Sequence, residues 1–330
     1  MAVTASPQDD SPFFSLLPPE IREMIYQDIW ATSGSKQHIY KQNMGKDKKW
    51  SHVPCSADYT AGDTRFERFT QSARGSEEEY QWVKRLKSEW CYHWCCEQST
   101  SKWHTTQDPK ELQKEGVRQA APSGFMSLLL VCKRMYREAL PSLVASTTFI
   151  FTDLFEAHEW LSLYGGNPER LPIRSLEICI LTTQLMTELY FPTSEEGEGP
   201  NPTFGHSNNN DDSHPGISMD SNPWQRVCDQ LALLPNLQNL YIWFHTRDLR
   251  EWHKRMSETR FFARLFNVTV KDRNKFILAL PDLPLKPKRG LPSHHFFENE
   301  TLEGAPFVVE RGPRPNNWRV HLMASGLRGP

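Results

Sequence analysis

A cluster of cysteine and histidine residues is the part of this sequence with the clearest capacity for chemistry. Five such residues fall within fourteen positions: Cys91, His93, Cys95, Cys96 and His104. His52 and Cys55 form a smaller pair upstream. Thiolate and imidazole groups are ligands that zinc prefers, and a structural zinc ion takes four ligands in a tetrahedron. The cluster therefore indicates either a zinc site or a group of buried thiols.

The spacing within this cluster bears on the choice between the two interpretations. It matches no strong zinc signature, such as paired Cys-x2-Cys knuckles. On a helix, Cys91 and Cys95 would share one face, and the upstream pair could complete a site. Trp90 and Trp94 flank the same residues, which favours an aromatic core where thiols act as small apolar groups. We therefore predict no cofactor; the candidate ligands that remain for a metal are Cys91, Cys95, Cys96 and His104.

The motifs that mark common enzyme classes are absent from the chain. The sequence has no Gly-x-Ser-x-Gly elbow, no phosphate-binding Gly-x4-Gly-Lys-Ser/Thr loop and no His-Glu-x-x-His pair. Gly165-Gly166-Asn167-Pro168 is typical of a turn. We therefore predict a non-enzymatic protein.

The elements that would position the cysteine–histidine cluster follow from residue periodicity. His38-Ile39-Tyr40 and Trp50-Ser51-His52-Val53 have the composition of two short strands around a basic loop, which predicts a β-hairpin. Val83, Leu86 and Trp90 lie at helical spacing and predict a helix over about 77–97.

Two further helical segments lie on either side of this region. Pro18-Pro19 suits a first helical turn, whose N–H groups have no intrahelical partner. An apolar stripe at helical spacing follows, formed by Ile21, Met24, Ile25 and Ile29. A second helix is predicted over 125–146, with Pro141 as a kink or break. Its apolar face consists of Leu128, Leu129, Cys132, Met135, Tyr136, Ala139 and Leu143.

Together the two segments resemble an F-box, a helical module with a Leu-Pro start and a later Leu-x-x-Val-Cys-Arg-like stretch. The first part is matched by Leu17, Pro18, Ile21 and Ile25, and the second is approximated by Leu129, Val131, Cys132 and Tyr136. An F-box is contiguous, whereas roughly ninety residues separate the halves here. The split pattern, from Phe14 to Tyr26 and from Leu128 to Phe151, resembles a large family of uncharacterised F-box-like proteins of filamentous fungi.

The resemblance implies docking to the Skp-type adaptor of a cullin–RING ubiquitin ligase, with recruitment of an unknown protein substrate. The residues expected to dock are Leu17, Pro18, Ile21, Met24, Ile25, Leu129, Val131, Cys132 and Tyr136. In the alternative interpretation these helices bury the same faces against each other, and the protein is a degenerate F-box-fold scaffold with no ligase role. A zinc-stabilised protein is a third interpretation.

The rest of the chain alternates between strand and helix patterns. Strand-like runs occur at 147–151, 237–244 and 276–280, and 171–180 has the pattern of a loop that leads into a strand. Helices are predicted over 154–164, 222–234 and 248–265. Their irregular spacing predicts an irregular leucine-rich-like helix–strand stack rather than a regular repeat. The predicted fold class is α+β, or an irregular α/β arrangement.

The predicted organisation is one integrated domain over 12–285, after a disordered tail at 1–11. It contains an insert at 33–124 and a disordered acidic loop at 192–223, a segment without lysine or arginine. A loop-rich extension at 286–330 follows, with possible strands at 307–309 and 318–320.

Composition narrows the class of partner. The 38 basic and 40 acidic residues give a net charge of -2, which argues against a general nucleic-acid binder. The chain has no apolar run of about 18 residues, so we predict no membrane span. Seven scattered cysteines and the absence of a secretory signal favour reduced thiols in the cytoplasm or nucleus.

Overall fold

The computed structural model describes residues 11–44, 47–58, 65–100, 124–164, 172–182, 222–246, 258–281 and 302–312. Within these ranges the chain forms helices and one mixed seven-stranded sheet, in agreement with an α+β fold. The strands are β1 (Lys36–Met44), β2 (Asp47–Pro54), β3 (Thr148–Phe151), β4 (Ser175–Thr182), β5 (Asn239–Thr246), β6 (Phe276–Pro281) and β7 (Val308–Gly312).

Ten α-helices are described in the same ranges. They are α1 (Pro12–Leu16), α2 (Pro19–Thr32), α3 (Arg65–Gln71), α4 (Glu77–Leu86), α5 (Trp94–Gln98), α6 (Gly124–Leu129), α7 (Lys133–Ser146), α8 (Leu154–Tyr164), α9 (Pro223–Ala232) and α10 (Glu258–Phe262). Short 3-10 helices occur at Cys91–His93, Ala263–Asn267 and Arg273–Lys275. Among the helices described, none is long and apolar enough to cross a membrane.

The strand order of the sheet is β2-β1-β3-β4-β5-β6-β7. The hairpin strands β1 and β2 are antiparallel, as predicted, and every later neighbour pair is parallel. Parallel neighbours need a crossover between them, and α8, α9 and α10 lie in successive crossovers. The predicted alternation of strands and helices is therefore confirmed for the described ranges.

The main hydrophobic core lies between the sheet and these crossover helices. Because side chains alternate along a strand, Leu176, Ile178 and Ile180 of β4 all face this core. Trp224 of α9 is fully buried in it and packs edge-on against Phe244, with ring centroids 5.0 Å apart. Glu177 and Cys179 alternate with the core residues of β4, so they point to the opposite face of the sheet.

A second core holds together a bundle of α2, α6 and α7. It consists of Phe14, Tyr26, Trp30, Phe125, Leu129, Met135 and Ala139. Leu140 packs against this core and against the main core. The two helical segments predicted on either side of the insert therefore meet in space.

Two predicted helices are interrupted, and both interruptions have local causes. The helix predicted over 77–97 ends at Leu86, and the chain resumes through a 3-10 turn in which Cys91 has a φ of 52°. Helix α4 has already ended five residues before Cys91, and the left-handed backbone of Cys91 keeps the segment 91–98 from continuing it as one right-handed helix. The helix predicted over 125–146 breaks before Cys132, which is extended and caps α7 by accepting a hydrogen bond from the Met135 amide. Pro141 lies inside α7 without ending it.

Several other predicted elements lie only partly within the described residues. The helix predicted over 248–265 is α-helical at Glu258–Phe262 and 3-10 beyond it, while 248–257 lie outside the described residues. The predicted strand at 307–309 corresponds to β7, so part of the predicted C-terminal extension joins the sheet. The acidic loop predicted at 192–223 lies outside the described ranges up to residue 221, while Asn222 and Pro223 cap and begin α9. The strand predicted at 318–320 and nearly all of the 1–11 tail also lie outside these ranges.

Candidate functional site

The first candidate site is an exposed apolar face on the helical bundle. Helix α2 buries Arg22, Tyr26 and Trp30, which leaves the Ile21 and Met24 side chains on its outer side. They are 41% and 64% exposed. Leu130 and Val131, in the short break between α6 and α7, are 73% and 61% exposed. Large apolar side chains exposed this far mark interaction surfaces when they occur together.

Ile21 and Met24 lie in the first two turns of α2, and Leu130 and Val131 lie just before the first turn of α7. Arg134, in the first turn of α7, lies over the ring of Phe14 in α1, with its guanidinium carbon 4.3 Å from the ring centroid. This contact brings the break before α7 close to the start of α2. We call Ile21, Met24, Leu130 and Val131 the apolar face.

The remaining residues predicted to dock have mixed positions. Tyr136 is exposed, Ile25 and Leu17 are half-buried, and Pro18 is exposed. Leu129 is buried in the bundle core. Cys132 is half-buried, and its thiol caps α7. Leu129 and Cys132 therefore stabilise the bundle from within.

The second candidate site is a buried cluster of cysteine and histidine side chains between the hairpin and the segment that follows α4. His38 of β1 pairs with Val53 of β2 in the antiparallel register. Residues two apart along a strand share a face, so Cys55, just past the end of β2, lies on the same side as His38. His52 lies on the other side, where its Nδ1 atom is 3.1 Å from Gln37 Oε1 and its ring packs against Phe125.

The other two members come from the segment 91–98. The 3-10 turn at Cys91–His93 leads directly into α5, and His93 and Cys96 lie three residues apart, a spacing that places side chains on one helix face. Both are fully buried. His38 retains 1% of its accessible surface and stacks on Trp90, with ring centroids 4.6 Å apart.

The donor atoms of His38, Cys55, His93 and Cys96 all lie within 4.8 Å of one another. Cys55 Sγ is 3.8 Å from Cys96 Sγ and 3.4 Å from His93 Nδ1. The rings of His38 and His93 meet edge-on at 4.7 Å. We call these four residues the Cys2His2 cluster.

Strand β4 supplies a second layer behind His93. The Nε2 atom of His93 is 3.4 Å from Glu177 Oε1 and 3.3 Å from Cys179 Sγ. The other carboxylate oxygen of Glu177 accepts a hydrogen bond from Lys36 Nζ at 3.1 Å. Glu177 and Cys179 are themselves buried. The Lys36 ammonium thus partly balances a carboxylate that would otherwise carry an isolated buried charge.

Contacts between the thiols shift the pKa values of the cysteines. The Cys96 thiol donates towards Cys55, which lowers the pKa of Cys55 and raises the pKa of Cys96. The Cys96 contact also lowers the pKa of Cys95 to about 6. Burial raises the pKa of Cys179 to about 11. The cluster therefore favours a thiolate at Cys55, the form in which cysteine binds metals.

The surroundings shift the pKa values of His38 and His93 in opposite directions. Burial lowers the pKa of His38 and therefore favours its neutral form. Burial acts the same way on His93, but contacts with Cys179, Cys55 and Glu177 outweigh it and raise the pKa of His93. A neutral imidazole is the form that can ligate a metal.

The structure changes the set of cluster residues expected from the sequence. Cys96 is a member, and so are His93 and Cys55 from the wider group of cysteines and histidines. Cys91 is buried but directs its sulfur towards the Glu89 carbonyl, 3.6 Å away. Cys95 is half-buried next to Cys96, at 3.9 Å between sulfurs. His104 lies outside the described residues, and His52 faces the other side of the hairpin.

The sequence pattern does not predict His38, which is a member of the cluster. It also does not predict Glu177 and Cys179, which lie next to His93. A charged glutamate in the middle of an apolar strand is one signal that could identify Glu177, because a buried carboxylate needs a partner. The alternation of side chains along β2 is a second signal, because it places Cys55 rather than His52 on the face of His38.

The described residues therefore define an α+β protein with a helical bundle, a mixed sheet and a buried Cys2His2 cluster between the β1–β2 hairpin and the segment 91–98. The chain belongs to the family described as domain of unknown function DUF7730, whose model matches residues 6–291. No curated protein and no solved structure matches this chain.

Proposed function

We propose that this protein is a non-enzymatic adaptor of the F-box-like type. In this role the apolar face docks onto the Skp-type subunit of a cullin–RING ubiquitin ligase in the cytoplasm or nucleus. The helix–strand stack, of the leucine-rich-like kind predicted from the sequence, recruits a protein substrate. The observation that carries the proposal is the exposure of Ile21, Met24, Leu130 and Val131 on a bundle that has its own core.

Exposed apolar residues on a bundle that already has a core support a docking role. The bundle buries Phe14, Tyr26 and Trp30 without help from Ile21 or Met24. Leaving such side chains in water forgoes roughly 1.5–3 kcal/mol of burial free energy per large residue. A partner with an apolar groove recovers that free energy by covering them, which is the usual mode of helix recognition.

The position of the insert is compatible with docking. Its described parts pack towards the sheet: β1 pairs with β3, and Tyr92 contacts Trp243 of β5 at 5.8 Å between ring centroids. The residues 101–123, which complete the insert, are outside the described ranges. The described part of the insert leaves the four residues of the apolar face exposed.

A scaffold without a ligase role is the second candidate, and one observation favours it. Leu129 and Cys132 belong to the motif that resembles an F-box, yet one is buried and the other caps α7. This part of the motif is then used to build the bundle. The scaffold would use the same apolar face for a different protein.

Titration of the full-length protein with a purified Skp-type adaptor tests the proposal. We expect a Kd below about 1 µM, equivalent to roughly 8 kcal/mol of binding free energy. Ile21→Asp and Met24→Asp are expected to weaken binding at least about tenfold. Leu233→Asp is the matched control, because Leu233 is 60% exposed and follows α9 in the other part of the protein. Circular dichroism verifies the fold of each variant.

The outcomes separate the two candidates. Loss of binding in the two bundle variants, with Leu233→Asp unaffected, supports adaptor docking. Absence of binding by the folded wild-type protein at tens of micromolar rejects the ligase role and supports the scaffold. Unchanged binding by Ile21→Asp and Met24→Asp shows that the apolar face is not the docking surface.

A further inference from the structure

We propose that His38, Cys55, His93 and Cys96 bind one structural zinc ion that fastens the segment 91–98 to the β1–β2 hairpin. The proposal is independent of adaptor docking, because the cluster and the apolar face share no residue. It rests on the distances between donor atoms, on the state of His38 and on the residues that surround His93.

The distances match a tetrahedral zinc site. Zinc bonds of about 2.3 Å to sulfur and 2.0–2.1 Å to nitrogen give tetrahedral edges of about 3.8 Å between sulfurs and about 3.6 Å from sulfur to nitrogen. The observed separations are 3.8 Å from Cys55 Sγ to Cys96 Sγ and 3.4 Å from Cys55 Sγ to His93 Nδ1. The donor atoms are thus already placed around a space that suits one ion.

The state of His38 points to a ligand in that space. Both ring nitrogens are buried, and neither has a hydrogen-bond partner of standard geometry among the residues described. Burying polar atoms without partners costs free energy, so such groups are rare in proteins. A bond from one ring nitrogen to zinc would remove part of that cost. Trp90 stacks on the His38 ring and fixes its plane.

The surroundings of His93 fit the arrangement seen around zinc-bound histidines. A ligating histidine usually donates its second N–H group to a carboxylate or carbonyl, which fixes the tautomer. His93 directs Nδ1 at Cys55 and Nε2 at Glu177 Oε1. Nδ1 is therefore the ligand atom, and Glu177 is a positioning residue. Lys36 holds the other oxygen of that carboxylate.

Charge and connectivity favour a structural role. Two thiolates and two neutral imidazoles around a divalent ion give a neutral site, which suits a buried position. Four protein ligands also close the coordination shell, as in structural rather than catalytic zinc sites. The apolar cluster beside the site contains only four buried residues, Tyr40, Val53, Trp90 and Cys96, in the part of the chain that the structure describes. A metal that joins β1, the end of β2 and α5 would supply the stability that so small a core lacks.

Metal analysis of the full-length protein, purified without chelators, tests the proposal. We expect about one zinc per chain, and loss of at least about 80% of it in Cys96→Ser and His38→Ala. Cys95→Ser is the matched control, because Cys95 is the chain neighbour of Cys96 and lies outside the group of four. This variant is expected to retain its zinc. Zinc below about 0.2 equivalents in the wild-type protein, with none taken up on titration, would overturn the proposal.

Cobalt substitution keeps the test decisive where a variant fails to fold, since it uses the wild-type protein. We expect the visible bands of tetrahedral cobalt and a sulfur-to-cobalt charge-transfer band with the intensity of two thiolates. Alkylation with mass spectrometry then identifies those thiols. Zinc should protect Cys55 and Cys96, and a chelator should expose both. If reductant rather than chelator exposes them, the pair forms a disulfide and the zinc proposal is wrong.

Discussion

Arg22 and Glu138, which are 116 residues apart, form a two-pronged ion pair between α2 and α7. Arg22 Nε donates to one carboxylate oxygen at 2.9 Å and a terminal nitrogen donates to the other at 3.1 Å. The Tyr26 hydroxyl donates to the same carboxylate at 3.3 Å. Arg22 belongs to the helical segment before the insert, and Glu138 belongs to the one after it. The pair therefore ties together the two halves that the insert separates in sequence.

Replacement of Glu138 by glutamine should destabilise the bundle. Glu138→Gln keeps the size of the side chain but removes the charge that Arg22 faces. Hydrogen bonds to charged groups contribute about 1.5–3 kcal/mol, and partial exposure of Glu138 lowers this, so we expect a loss of about 1–2 kcal/mol. Urea denaturation measures the change. Asp28→Asn, on the exposed side of α2, should leave the free energy of unfolding within about 0.5 kcal/mol of wild type.

The same pair predicts an acid-sensitive part of the stability. Burial raises the pKa of Glu138, but the hydrogen bonds and positive charge of Arg22 outweigh burial and lower it below its usual 4.5. A carboxylate with a lowered folded-state pKa stabilises the protein above its unfolded-state pKa. That contribution is lost as pH falls through the folded-state value. Urea titrations from about pH 7 to about pH 3 should show a steeper loss for wild type than for Glu138→Gln. Equal slopes would contradict this.

The fold could be predicted where the pattern of residues along the chain decides it. The hairpin, the alternation of strands and helices and the presence of helix α2 all follow from local periodicity. The breaks at Cys91 and before Cys132 could not be predicted in the same way. The first depends on a left-handed residue, and the second on a thiol that caps a helix better than it continues one.

The Cys2His2 cluster is only half visible in the sequence. His93 and Cys96 are close in the chain, but His38 lies 55 positions before His93. What brings His38 to the cluster is the register of the hairpin, which pairs it with Val53. A residue pattern contains no information on such a pairing until both strands and their turn are known. The exposure of Met24 likewise depends on which side of α2 the later helices cover.

Truncation of Trp224 should cause a large loss of stability in the main core. Trp224 is fully buried, contacts Phe244 and Phe261, and donates its indole N–H to the Phe261 carbonyl at 3.0 Å. Trp224→Ala should lower the free energy of unfolding by about 3–5 kcal/mol, because it leaves a cavity and an unpaired carbonyl. Urea denaturation measures this. Leu233→Ala, at an exposed position, is the control, and a loss below about 1 kcal/mol for Trp224→Ala would contradict the packing described.

An ion pair between Arg311 and Glu258 should anchor β7. Glu258 is 2% exposed, and both of its carboxylate oxygens accept hydrogen bonds from Arg311. Arg311→Met should destabilise the protein by about 3–5 kcal/mol, because it removes the guanidinium that donates to both oxygens of a buried carboxylate. The double variant Glu258→Gln with Arg311→Met should recover part of that loss. Thermal and urea denaturation compare the three proteins. A double variant that is less stable than Arg311→Met alone would show that the buried charge is not the cause.

Glu177 should tune the zinc affinity of the Cys2His2 cluster without being a ligand. Its carboxylate lies 3.4 Å from His93 Nε2 and accepts a hydrogen bond from Lys36, so it orients the imidazole whose Nδ1 faces the cluster. Substitution of such a partner typically weakens metal binding about 10–100-fold. We therefore expect Glu177→Gln to retain one zinc per chain but to lose it to a weaker chelator in a competition titration. The cobalt spectrum should keep its two-thiolate intensity, since Cys55 and Cys96 are unchanged. A variant with wild-type affinity would remove Glu177 from the site, whereas loss of the two-thiolate band would make its role one of folding.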